Sequence, residues 1–152
     1  MSIRNRSDCP VNQAVELLGD RWTLLILRDI MFCDRRTFRV LLHNSDEGIS
    51  SSILAARLKV LVTAGMLTAA EDPSHQQRVT YSLTEEAIDL TETIVHLGAW
   101  GARHFEEVNE IGGKLLDLER RGPEAIRKFA DRLRSAHLAT TSLPRTSSGG
   151  SA

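Results

Sequence analysis

Apolar and polar positions follow one another along this chain with two periods, and the period changes at Gly65. Before it the spacing is helical. Leu54, Leu58 and Leu61 recur at the four- and three-residue intervals that stack side chains on one face of a helix. Ser50 ahead of them is a good N-cap, and Gly65 is the residue that ends a helix at least cost. At roughly 100° per residue the opposite face carries Ser52, Ala55, Ala56, Lys59 and Thr63, small or polar except for one cation, with Arg57 on the flank. Further upstream, Pro10 favours a first helical position, so Cys9 falls at the N-cap of a helix reaching about Leu18, with Val11, Ala14, Val15 and Leu18 as its apolar face. Asp20 is expected to cap a second helix beginning at Arg21, whose stripe is Trp22, Leu25, Ile26 and Ile30. Thr37 caps a short third helix with Phe38, Leu41 and Leu42 inward, and a polar connection leads from it into the Leu54 helix. The third and fourth helices therefore form a helix–turn–helix pair.

After Gly65 the alternation is that of strands. Residues 66–70 and 79–83 read as a hairpin, with Val79, Tyr81 and Leu83 pointing one way, Thr80 and Ser82 the other, and a polar tip containing Pro73, His75, Gln77 and Arg78. Thr84 is expected to cap one further helix, with Glu85 and Glu86 at the positive end of its dipole. Ala87, Leu90, Ile94, Leu97 and Gly101 mark one face of it, while Ile88, Val95 and Trp100 lie off that face, more apolar surface than one domain core can cover. Ile111, Leu115, Leu116 and Leu118 suggest a helix after Gly112-Gly113, and Pro123 opens a last one with Ile126, Phe129 and Leu133. Residues 140–152 are rich in Ser, Thr and Gly and read as a disordered tail. The order predicts a mainly α-helical fold with a small β-hairpin: a winged helix–turn–helix domain over residues 9–104, a helical extension over 105–139, and that tail.

Composition narrows the class. The chain has 152 residues, of which 41% are hydrophobic and 26% charged, ordinary values for a globular protein that buries a core without disulfides or metals. No apolar run approaches a membrane span, and the N-terminus lacks the core of a signal peptide, so a cytoplasmic location is expected. A formal net charge of −1 argues mildly against nucleic acid, yet Arg35, Arg36, Arg39, Arg57, Lys59 and Arg78 gather around the helix–turn–helix and the hairpin. A helix with an apolar back and a low-relief front suits a major groove about 12 Å wide. A solvated surface helix would carry the same pattern.

Several segments in register sharpen this. Cys9-Pro10, Gly19-Asp20-Arg21-Trp22-Thr23-Leu24-Leu25-Ile26-Leu27-Arg28-Asp29, Gly48-Ile49-Ser50 with Leu54, Arg57, Leu58 and Leu61, Ala64-Gly65-Met66-Leu67, and Tyr81-Ser82-Leu83-Thr84 together resemble the HxlR-type bacterial transcriptional regulators, relatives of the MarR group. The resemblance implies a homodimer that binds operator DNA through paired recognition helices and wings, with the N- and C-terminal helices serving dimerisation, and no enzymatic activity. Where such proteins carry proline and a basic residue after the capping serine, this chain has Ser51-Ser52.

Candidate DNA-binding residues are Arg36, Thr37 and Arg39 at a helix start, Ser50, Ser51, Ser52, Ala56, Arg57 and Lys59 on the fourth helix, and His75, Gln77 and Arg78 in the wing. Arg57 stands close enough to the core stripe to form an internal ion pair instead. Cys9 is the redox candidate, because a thiol at a helix N-terminus meets the positive end of the dipole, which favours the reactive thiolate. Some regulators of the resembled family use a cysteine there to sense oxidants or quinone-like electrophiles, and others do not; Cys33 reads as packing. No catalytic triad, phosphate-cradling glycine loop or metal signature is present in the sequence, so neither an enzyme nor a cofactor is expected. Double-stranded DNA and a second copy of the chain are the expected partners, with an oxidant or small molecule as signal and repression as effect. The alternative is a winged-helix interaction module without specific DNA binding.

Overall fold

The computed structural model describes residues 7–74 and 78–138, so His75, Gln77 and the predicted tail at 140–152 lie outside the described residues. Four helices come first: α1 (Pro10–Leu18), α2 (Thr23–Cys33), α3 (Phe38–His43) and α4 (Ser51–Thr63). An antiparallel hairpin follows, β1 (Leu67–Glu71) with β2 (Val79–Leu83), in the register Leu67↔Leu83 to Glu71↔Val79. Then come α5 (Glu85–Ile88), α6 (Thr91–His104), α7 (Glu110–Arg120) and α8 (Pro123–His137). An isolated bridge between Thr37 and Thr80 lays the entry to α3 against the outer side of β2, so the hairpin is tied to the helix–turn–helix. This is a winged helix–turn–helix.

Four boundaries differ from the expectation. The second helix starts at Thr23 and not at Arg21, because the Asp20 carboxylate accepts from the backbone N–H of Trp22 (2.8 Å) and Thr23 (3.1 Å) and leaves residues 21 and 22 in a turn. The first strand runs one residue later than 66–70, because the Met66 carbonyl is taken by the Thr84 N–H and hydroxyl. The single helix expected from Thr84 is two. At its break the Leu90 N–H bonds back three residues to Ala87, and the buried Thr91 hydroxyl donates to the Ile88 carbonyl at 2.6 Å. Gly112 and Gly113 lie inside α7 rather than before it, since the Asn109 side chain caps the helix by accepting from the Gly112 N–H.

The core forms around α2. Leu27 and Ile30 are sealed beneath Leu54, Leu58 and Leu61 of α4, Leu67 and Leu83 of the hairpin, and Ala87 and Ile88 of α5. Ala130 and Leu133 of α8 belong to the same cluster. A second cluster, Val95, Ile111, Leu115, Leu118 and Ile126, joins α6 to the α7–α8 pair, and Phe32 stacks on Phe129 with ring centroids 4.9 Å apart. Apolar surface is left over. In α1 Val11 and Val15 are 70% and 58% exposed, and in α6 Leu97 and Trp100 are 51% and 49% exposed. Of the residues lying off the expected α6 face, Ile88 and Val95 are buried and Trp100 is not.

Candidate nucleic-acid interface

Both ends of α4 are made by local chemistry. The Ser50 hydroxyl accepts from the Ile53 N–H. At the other end Gly65 takes φ +75°, where L side chains are strained, and this lets the Met66 N–H reach the Leu61 carbonyl and the Gly65 N–H the Val62 carbonyl. With its back committed to the core, the helix leaves Ser51, Ser52, Ala55, Ala56, Lys59 and Thr63 exposed. Ser50 and Ser52 hydroxyls lie 3.3 Å apart.

Two of the cations around this helix, Arg57 and Arg36, are already engaged. Arg57 pairs with Asp20 at 3.4 Å, the internal arrangement that its flank position allowed. Burial pushes the Asp20 carboxyl up, but the Thr23 hydroxyl, the two amides and Arg57 together hold it below its ordinary value. Arg36, expected at phosphate, turns onto β2: Nε donates to the Tyr81 carbonyl at 3.1 Å and Nη2 to the Ser82 hydroxyl. That contact buries Ser82, so the predicted alternation along β2 does not hold at its end. Thr37 caps α3 by accepting from the Val40 N–H. Arg39, Lys59 and Arg78 are exposed and make no ion pair among the described residues. The structure thus brings together Ser51, Ser52, Ala56 and Lys59 on one face, sets Arg39 and Arg78 on neighbouring elements, and withdraws Arg36 and Arg57.

A half-buried ionic network centred on the buried Asp29 holds the segment between α2 and α4. Arg28 donates from Nη1 and Nη2 to Glu47 (2.7 and 3.1 Å) and from Nε and Nη2 to Asp29 (2.9 and 2.7 Å). Asp29 also receives Arg35, whose Nη1 reaches the Asn44 carbonyl as well. Burial works against the Arg28 charge, but its hydrogen bonds to Glu47 and Asp29 outweigh it and hold the guanidinium ionised, while Arg28 keeps Glu47 below the ordinary carboxylate range.

The sequence signature of the HxlR-like helix-turn-helix family matches residues 17–109, from the end of α1 to the N-cap of α7. The chain belongs to that family. It is a family of transcription regulators, not of enzymes. Rv3095 of Mycobacterium tuberculosis, named as an HTH-type transcriptional regulator, is 44% identical over 95 residues, which is 62% of this chain and 58% of that relative's length. The HTH-type regulator sll1512 of Synechocystis is 30% identical over 99 residues, covering 65% of this chain and 72% of that protein. Among solved structures, PA1607, a protein assigned as a transcription factor, superposes with a TM-score of 0.61 at 31% identity, over 70% of this chain and 72% of that one. The reduced form of the transcriptional regulator YodB from B. subtilis gives a TM-score of 0.53 at 28% identity, over 68% of this chain and 100% of that one.

Two features of this HxlR-like chain were not legible beforehand. Helices α7 and α8 lie beyond the matched stretch, and α8 is bonded to the wing: His137, only 3% exposed, accepts at Nδ1 from the Leu83 N–H at 3.1 Å. Burial, and after it the nearby Arg36, push its pKa down to about 4. The Arg28-Asp29 pair inside an apolar helix was the visible trace of the ionic network, but Arg28's partner Glu47 stands 19 residues away. Cys9 sits at the N-cap of α1, exposed, with no side-chain cap hydrogen bond among the described residues. Cys33 is half-buried, and burial pushes its thiol up. No helix among the described residues is long and apolar enough to cross a membrane.

Proposed function

We propose that the protein binds duplex DNA as a homodimer at a near-palindromic operator and represses transcription there. The observation that carries the reading is the outer face of α4: exposed, low in relief, capped at both ends and backed by the core, in a chain of a helix-turn-helix regulator family. Arg39 and Arg78 supply phosphate contacts, with the α3 start beside them, while Lys59 faces the groove from α4. The exposed apolar residues of α1 and α6 support a dimer interface, which would set two α4 helices roughly 34 Å apart, one turn of duplex. With Arg39 and Arg78 from each protomer, four phosphates per dimer give a salt slope of about −4.

The test is selection of bound genomic fragments by the full chain, followed by footprinting and analytical ultracentrifugation. A dimer protecting two half-sites, and a reporter gene whose expression rises when the protein is deleted, are the expected results. A monomer at micromolar concentration, or protection of one half-site, overturns the reading.

Cys9 is the proposed sensing thiol, supported by its exposure beside the half-buried Cys33 and by the likeness to a regulator solved in a reduced form. Diamide is expected to modify Cys9 before Cys33 and to weaken operator binding in wild type but not in Cys9→Ser. Equal modification of both, or unchanged affinity once Cys9 is fully modified, removes the role.

A further inference from the structure

Each base pair shows the major groove its own groups, and the side chains that take them differ by base. Arginine or lysine takes guanine, asparagine or glutamine takes adenine, aspartate or glutamate takes cytosine, and alanine or a threonine methyl packs on the thymine methyl. Helix α4 reads Ser-Ser-Ile-Leu-Ala-Ala-Arg-Leu-Lys-Val-Leu-Val-Thr, and so holds no Asn, Gln, Asp or Glu at all. Adenine and cytosine have none of their characteristic long-chain partners on it, only short hydroxyls that do not discriminate between bases. Its arginine, Arg57, is held by Asp20 at 3.4 Å, and Asp20 is itself fixed by the amides of Trp22 and Thr23. One long donor remains, Lys59. The Ser50 hydroxyl is spent as the N-cap and lies 3.3 Å from that of Ser52. Apart from the short hydroxyls of Ser51 and Ser52, the rest of the exposed face is mainly methyl groups: Ala55, Ala56, the 38% exposed Ile53 and, a turn beyond Lys59, Thr63.

We infer that α4 reads its half-site through the C5-methyl groups of thymines, packed on Ala55, Ala56 and Ile53, with Lys59 as its contact to guanine. The inference rests on α4 being the recognition helix of the proposed function and specifies which DNA it selects. Small side chains let the helix backbone approach the groove floor, where a methyl–methyl contact excludes water. Burying one methyl carbon corresponds to about a fourfold change in affinity. Two or three such contacts in each half-site distinguish thymine from cytosine without a hydrogen bond.

The experiment starts from the duplex that the full chain selects from a random library. Thymine is replaced by uracil, which removes only the methyl, one position at a time across the footprint, with uracil outside the footprint as control. The expected result is a loss of about fourfold at two or more thymines in each half-site. In Ala56→Gly one of those positions is expected to stop discriminating thymine from uracil, and 5-methylcytosine there to bind better than cytosine. A selected operator indifferent to uracil throughout, losing affinity only with 7-deazaguanine or 7-deazaadenine, overturns this inference and leaves DNA binding intact. Failure to select any sequence overturns both.

Discussion

Replacing His137 by Asn keeps an acceptor near the position of Nδ1 and removes the ionisation. In the wild type that nitrogen accepts from the Leu83 N–H at 3.1 Å, so a proton placed on it would break the bond and bring a charge beneath α8. Burial and then Arg36 push the imidazole from its ordinary 6.5 to about 4, with Asp34 acting the other way. Between those two values the unfolded chain binds a proton that the folded chain refuses. The stability present above pH 6.5 is therefore lost progressively as the pH falls to about 4, by about 3 kcal/mol at 1.36 kcal/mol for each pH unit of displacement. Asp20 and Glu47, both held below their ordinary values, add a further acid loss at lower pH, but equally in both proteins. The assay is urea unfolding at fixed protein concentration, stepped from neutral pH to pH 4, for wild type and His137→Asn. The wild-type curve is expected to fall away from that of the variant below pH 6.5. Parallel curves would refute the reasoning and mean that His137 keeps an ordinary proton affinity despite its burial.

Other substitutions separate scaffold from interface. Arg36→Ala is expected to cost about 2 kcal/mol of stability without DNA, since it removes the bonds to Tyr81 and Ser82, whereas Arg39→Ala leaves the unfolding midpoint unchanged and weakens binding to every duplex alike. At Gly98 an added Cβ would lie 2.2 Å from Leu115 Cδ1 and 3.3 Å from its Cβ, while at Gly101 the nearest atom is 4.0 Å away. Gly98→Ala should therefore destabilise by about 1–2 kcal/mol and Gly101→Ala stabilise by about 0.5–1 kcal/mol in the same unfolding assay. Asp20→Ala removes the cap of α2, a cost of about 1 kcal/mol, and releases Arg57. Its salt slope on non-operator DNA should steepen by about 1 for each protomer, and an unchanged slope would show that Arg57 reaches phosphate already.

What the sequence made legible was local. Ser50, Gly65 and the Leu54–Leu58–Leu61 spacing define α4 because caps and faces are decided within a few residues of where they act. The break between α5 and α6 escaped the pattern, since Thr91 is a passable helix residue by type and interrupts the run only by using its hydroxyl on Ile88. Gly112-Gly113 read as a breaker, but one asparagine cap and the close packing of α7 on α6 outweigh two glycines. At the interface, the small residues and Lys59 could be chosen by helical phase. The withdrawal of Arg36 could not, because its partner Ser82 is 46 residues away. Separation in sequence likewise concealed His137 and Leu83, 54 residues apart. A cation's availability depends on who else claims it, and that is a property of the tertiary fold.

The way α4 is anchored has an evolutionary consequence. Leu54, Leu58 and Leu61 hold its back and Asp20 holds Arg57, while among the described residues those on its front take no part in the core and only the Ser52 hydroxyl has a neighbour, that of Ser50. Substitutions there carry almost no folding penalty. A duplicated gene can thus drift to a new target by changing Ser52, Ala55, Ala56 or Lys59 one at a time, each intermediate still folded, so that divergence of regulatory circuits need not wait for compensating changes in the core.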